Sequence, residues 1–185
     1  MTLAVRKDRK YTYDDYCTWP DEERWEIIEG SAYNMSPSPS VKHQRVVSLL
    51  DRRISDKVES KGCSLFIAPT DVVLDSCNIV QPDVFIVCDK KKITEASIQG
   101  APDLIIEVIS PSTELKDKRE KKSIYERFGV KEYIIVYPDR EYIERFILDN
   151  KGYGAPEMFN WDESLKFHSL DITVNLWEIF EREKP

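Results

Sequence analysis

The stretch Asp103-Leu-Ile-Ile-Glu-Val-Ile-Ser-Pro-Ser-Thr113 contains the tension from which the rest of the chain can be read. Its first seven residues form a nearly continuous apolar run of strand length, the pattern of a central strand covered on both faces. Glu107 interrupts that run. Desolvating a lone carboxylate is costly, so a buried Glu107 must be paired, protonated or holding a metal. The bland alternative places it at a strand end, in solvent. The Ser-Pro-Ser-Thr that follows reads as a short turn.

Upstream lie two more strand-like runs, residues 64–75 and 79–88. The second contains Gln81-Pro82-Asp83 and continues into Val84-Phe-Ile-Val87. An Asp after Pro is a common strand-entry residue and means little alone. Asp83 and Glu107 on neighbouring strands, facing one side, would form an oxygen-rich site for a hard divalent cation. Asp71 reads as a strand-edge charge in preference to an acid supporting that site.

Before these strands, residues 41–61 form a helix with Ser40 as N-cap, Gly62 as stop and Val47, Leu50, Ile54 and Val58 as its apolar stripe. His43 falls on the same stripe, as a satisfied core or rim histidine or as a substrate contact. After Glu107, residues 114–128 form a second helix ended by Gly129, with Tyr125 and Phe128 marking its core face. Stepping four and eight residues back from Tyr125 gives Lys121 and Asp117, which that periodicity turns inward. The plain alternative is a weak, exposed i,i+4 pair. If the Ser-Pro turn directs the helix back over the strand end, Lys121 reaches the carboxylates.

The flanks are simpler. Residues 24–28 and 31–35, joined by Glu29-Gly30, read as a hairpin in which Glu26 shares a face with Ile28. Residues 13–16 form a short helix, 133–137 and 142–148 a second hairpin, and the tail alternates short strands with a last helix at 177–180. The order helix, three strands, helix, strand gives an α/β fold, α+β with a mixed sheet. One domain, 1–185, is expected, with a core at about 41–137, the N-terminal hairpin at about 24–35 and a β-rich C-terminal extension at about 138–185.

Composition narrows the function. The chain has 185 residues and a formal charge of −7. No apolar run approaches the ~20 residues of a membrane span, and the start has no signal-peptide core. Four cysteines without CxxC pairing read as free thiols in a cytoplasmic protein. There is no GxxxxGK[ST] loop, GxGxxG turn or GxSxG elbow, which argues against a nucleotide cofactor and a serine hydrolase. Two histidines, His43 and His168, exclude a multi-histidine metal cage.

The run Gly100-Ala-Pro-Asp-Leu-Ile-Ile-Glu-Val-Ile-Ser-Pro-Ser-Thr113 resembles the Uma-two restriction endonuclease family. The resemblance extends through Asp117, Glu120-Lys121, Tyr125 and Gly129-Val-Lys-Glu-Tyr133, and includes Trp25-Glu-Ile-Ile-Glu-Gly30, the Ser-Pro loop with His43, and Gln81-Pro-Asp-Val84. It spans about residues 11–180. That family looks like part of the PD-(D/E)XK nuclease superfamily, whose restriction-endonuclease-like core is α-β-β-β-α-β.

By this resemblance Asp83 is the acid of the first half-motif and Glu107 that of the second. The usual lysine two residues after the acid is Ile109 here, and Lys121 would be its migrated replacement. The implied chemistry is metal-dependent phosphodiester hydrolysis of DNA, with Asp83, Glu107 and the Val108 carbonyl holding Mg²⁺ or Mn²⁺. Lys121 would orient or deprotonate the water. Glu26, His43, Asp117 and Ser110 would support the site or contact substrate, and a homodimer is expected because both strands must be cut. A non-catalytic nucleic-acid-binding or regulatory domain on the same scaffold is the alternative.

The acidic total does not exclude nucleic acid, because the charge is unevenly spread. Residues 41–61 carry +3 and residues 114–131 carry +3, while residues 139–185 carry −5. Two locally basic helices beside the site would permit weak, salt-sensitive, metal-dependent binding.

Overall fold

Residues 5–6, 8–20, 23–35, 38–109 and 117–185 are described in the structure, a computed structural model. The strands of the first half are β1 (Val5–Arg6), β2 (Trp25–Ile28), β3 (Ser31–Asn34), β4 (Ser64–Ile67), β5 (Val72–Asp75), β6 (Asn78–Val80), β7 (Val84–Val87) and β8 (Ile98–Gln99). Those of the second are β9 (Leu104–Val108), β10 (Glu132–Tyr137), β11 (Tyr142–Asp149), β12 (Gly152–Tyr153), β13 (Glu157–Asn160), β14 (Ser164–Phe167) and β15 (Ile172–Asn175). The helices are α1 (Tyr13–Tyr16), α2 (Val41–Ser60), α3 (Lys122–Phe128) and α4 (Leu176–Ile179). A π-helical turn, Asp117–Lys121, leads into α3.

All five residues of β9 are buried, as its apolar run requires. It pairs antiparallel with β7 and parallel with β10, in a sheet of order β12-β11-β10-β9-β7-β4 with β13 alongside β11. A parallel step needs a crossover, and α3 lies in it. The pleat then sorts the side chains. Leu104, Ile106, Val84, Ile86, Ile134 and Val136 pack with Val47, Leu50, Ile54 and Val58 of α2. On the opposite face Ile105, Phe85, Val87, Tyr133 and Ile135 pack with Ile124 and Tyr125 of α3. Period-two alternation puts Glu107 on this second face.

A second sheet, β1-β3-β2-β6-β5-β8, contributes Ile28, Val72, Leu74 and Val80 to the same core as α3. Its β2–β3 hairpin turns at Glu29 and Gly30, both at positive φ (52° and 76°), the two-residue turn that matches strand twist. Glu26 follows Ile28 inward, while Trp25 and Ile27 join an outer aromatic layer with Tyr11.

The expected mixed α/β architecture is present, with three differences. First, residues 64–75 and 79–88 are not single strands. Each divides between the two sheets, giving β4 then β5, and β6 then β7. Pro69 and Pro82 fall in the breaks, where a residue without an N–H cannot serve a ladder. Second, the cysteines are not all free thiols. Cys63 and Cys88 form a disulfide beside the Ser64–Val87 register of β4 and β7, while Cys17 and Cys77 are free. Third, within the helix read at residues 114–128, Asp117–Lys121 is π-helical and only Lys122–Phe128 is α-helical, while residues 114–116 lie outside the described residues.

The C-terminal strands β14 and β15 form their own hairpin and pack Leu165, Phe167, Ile172 and Val174, with Leu176 and Ile179 of α4, onto the α2 side of the core. Among the described residues no helix is long and apolar enough to cross a membrane.

Candidate active site

Three chain segments meet under α3. β9 presents Glu107, and the last residue before β7 is Asp83. The β6–β7 connection carries Gln81, and β2 carries Glu26. Because β6 pairs with β2, the chain leaves the second sheet beside Glu26 and enters the central sheet two residues after Gln81, at Asp83. This crossover brings acids from both sheets into one place.

Lys121 closes the cluster from above. It is 2% exposed, and its Nζ lies 2.7 Å from Glu26 Oε1 and 2.9 Å from Glu107 Oε1. Tyr125, one helical turn on, donates its hydroxyl to the same Glu107 oxygen at 2.8 Å. The Gln81 N–H donates to Glu26 Oε1 at 3.0 Å. Glu107 Oε2 lies 3.4 Å from the Asp83 N–H, so the two motif acids are neighbours. Glu107 is therefore a buried, paired carboxylate and not a solvated strand end.

Asp83 is held at one oxygen. Its Oδ2 accepts the Val108 N–H at 2.8 Å and lies 3.1 Å from His43 Nε2. Oδ1 makes no hydrogen bond among the described residues. His43 is positioned by its place on α2, with Ser40 Oγ capping its own N–H at 3.2 Å. Its Nδ1 is buried without a hydrogen-bond partner among the described residues. Ile109 N–H donates to Val136 O, so by alternation the N–H and C=O of Val108 face the other way, toward Asp83.

A second layer braces Glu26. The Gln81 side chain accepts from Arg24 (2.8 Å) and donates to Asp71 Oδ1 (2.8 Å), which also accepts the Tyr16 hydroxyl at 3.0 Å. Burial and Asp71 push the Tyr16 phenol above its ordinary value, so it remains a donor. Asp71 stands at the edge of β5, as read from the sequence, and its carboxylate anchors the Gln81 side chain there.

Asp83, Glu107, Val108, Lys121, Glu26 and His43, all read from the sequence, come together. Ser110 and the side chain of Asp117 lie outside the described residues. The contribution of Tyr125 was missed, although a tyrosine on an apolar stripe signals a hydroxyl needing a partner. Gln81 acts partly through its backbone N–H, which leaves no side-chain signature.

The cluster holds three carboxylates against one lysine, largely out of water, an imbalance that favours an added cation. No group of three or more His, Cys, Asp or Glu side chains forms a ready cation cage among the described residues. Two carboxylates and one carbonyl nevertheless suit a hard cation that keeps part of its water shell and completes its coordination with substrate phosphate. The residues fit such an ion. Ile109, where an in-line lysine would stand, is packed into the core. It projects on the same face as Glu107, the space Lys121 enters from the helix.

The chain is similar to an uncharacterized protein of Synechocystis sp., 24% identical over 168 residues covering 89% of this chain and 88% of that protein. Its fold is similar to the crystal structure of a protein from Anabaena variabilis described as "a putative nuclease belonging to DUF820". The TM-score is 0.76 at 19% identity, over 92% of this chain and 97% of the other. Residues 13–176 match the Uma2 family, described as "Putative restriction endonuclease", and the chain belongs to that family.

Proposed function

We propose that this protein is a divalent-metal-dependent endonuclease that hydrolyses DNA phosphodiesters at Asp83, Glu107 and Lys121. The observation that carries the reading is that buried Glu107 meets both Asp83 and Lys121, a lysine drawn from the following helix. Asp83, Glu107 and the Val108 carbonyl would hold Mg²⁺ or Mn²⁺. Such an ion, when bound, supplies charge stabilisation at phosphorus and a more acidic water.

The protein's own groups divide the remaining work. His43 and the Val108 N–H fix Asp83 through Oδ2, which leaves Oδ1 for the cation. Tyr125 and Lys121 engage Glu107 Oε1, which leaves Oε2 on the Asp83 side. Lys121 orients the attacking water and offsets charge growing on the phosphate. Glu26 holds the ammonium in place and acts as a positioning residue. His43 reaches the site through Nε2 on Asp83, while its Nδ1 is buried without a partner among the described residues, so it acts as a positioning residue for Asp83. Cutting both strands of a duplex calls for two such sites, which a twofold homodimer would supply.

The test is nicking of supercoiled plasmid with Mg²⁺ or Mn²⁺, comparing wild type with Asp83→Asn, Glu107→Gln and Lys121→Met. Each variant should lose roughly 100-fold or more in rate, the size expected when a charge-stabilising group is removed. Undiminished cleavage in the two acid variants would place the activity elsewhere. Binding of DNA by wild type with no cleavage under any divalent metal would favour a non-catalytic binding or regulatory domain.

A further inference from the structure

The two basic helices read from the sequence have opposite fates in the fold. On α2, Lys42 pairs with Asp139 (3.1 Å), Arg45 with Glu181 (2.5 Å) and Arg53 with Glu178 (3.6 Å), while Lys57 donates to the Thr173 carbonyl. The acidic C-terminal segment thus offsets three of the five bases on this helix, while Arg52 makes no ion pair among the described residues. The π-helical turn and α3 are different. Their outer side and the β11–β12 turn line an open cleft of about 730 Å³.

Five residues lining that cleft are basic, against Glu126 and Asp149. Arg127 is diverted to Glu29, at 2.7 Å. The Lys118 ammonium sits over the Tyr137 ring at 5.0 Å with Glu144 at 3.4 Å, and the Lys122 ammonium over the Phe146 ring at 4.3 Å, so aromatic faces position both cations beside the cleft. Arg119 and Lys151 make no ion pair among the described residues. Gly152, at φ 97°, forms part of the cleft lining beside the Glu126 carboxylate.

One end of the cleft adjoins the candidate active site. Glu107, Ile135 and Glu144 occupy one row across β9, β10 and β11, on one face. Two strand spacings, roughly 10 Å, therefore separate Glu107 from the Glu144 position where Lys118 is anchored.

We propose that this cleft, and not the basic face of α2, carries the sugar–phosphate backbone of duplex DNA flanking the point of cleavage. The inference rests on the nuclease reading for its choice of polyanion, and its own content is which basic surface the DNA follows. Arg119, Lys122 and Lys151 contact phosphates and carry no base specificity.

The test is anisotropy binding of a short labelled duplex across a salt titration in Ca²⁺, a hard cation that can neutralise the site acids, with the duplex recovered intact to show that cleavage plays no part. Removing one phosphate-binding cation lowers the log–log salt slope by roughly 0.9. Arg119→Glu/Lys122→Glu/Lys151→Glu should reduce that slope by about 2–3 and the affinity by at least about tenfold. If the triple variant fails to melt cooperatively, Arg119→Gln/Lys151→Gln, at two exposed positions, should still reduce the slope by about 2. Lys42→Gln/Arg45→Gln/Arg53→Gln on α2 should leave the slope as in wild type. Wild-type slope and affinity in the cleft variants, or an equal reduction in the α2 variant, would overturn the proposal while leaving the nuclease reading intact. Wild type that binds through the cleft but cuts nothing with any divalent metal would overturn the nuclease reading alone.

Discussion

At the residue scale, Lys121 shows what a buried ionic cluster demands. Its ammonium touches two carboxylates that are nearly inaccessible to water, so removing it strands both charges. Lys121→Met should therefore destabilise the fold by roughly 3–5 kcal/mol, read from urea unfolding, beyond any effect on cleavage. Asp103 gives a second prediction. Burial alone would raise its carboxyl, but the Lys131 ammonium at 2.7 Å and the Cys88 N–H outweigh that and hold it below the usual carboxylate range. A carboxyl lowered by folding adds stability above its unfolded pKa and loses it as pH falls through the folded value. Asp103→Asn should accordingly flatten the fall of stability with acid below about pH 4, measured by thermal melts across pH. Glu107 and Asp83 were legible because each is a charge set against apolar neighbours. Tyr125 and Gln81 were not, because their roles rest on a hydroxyl and an N–H whose partners come from distant segments.

At the element scale, hydrophobic pattern located the helices but not the sheet each strand would join. Ser40 and Gly62 bracket α2 as expected, and Gly129 ends α3 in the left-handed conformation at φ 82°. Residues 64–75 and 79–88 are apolar enough to be single strands, yet each serves two sheets, because pairing depends on partners elsewhere in the chain. The same pairing sets Cys63 opposite Cys88 across 25 residues of sequence, which spacing alone could not reveal. A loop of that size implies roughly 2–4 kcal/mol from the cross-link. Cys63→Ser/Cys88→Ser should show that loss in urea midpoint, and reductant should shift wild type equally and the double variant not at all.

For the whole molecule, the C-terminal segment acts as a partner to the core. Glu132 of β10, fully buried, accepts the N–H groups of His168 and Ser169 and the Ser169 hydroxyl, tying the β14–β15 turn to the central sheet. Glu132→Ala should cost roughly 2–3 kcal/mol and speed amide exchange at residues 168–169 while β9 stays protected. The same segment brings most of the acids that offset α2, so the formal charge of −7 describes no particular surface. The order of the core elements, the inward faces of both long helices and the identity of the acids follow from the amino-acid order, because burial period and misplaced charge are local properties of the chain. Three things come only from the tertiary structure: that Lys121 sits between Glu26 and Glu107, that Asp71 bonds the Gln81 side chain, and which bases of α2 are paired with acids of the C-terminal segment. Those are contacts between segments far apart in sequence, and their energies depend on distance and exposure that no local pattern encodes.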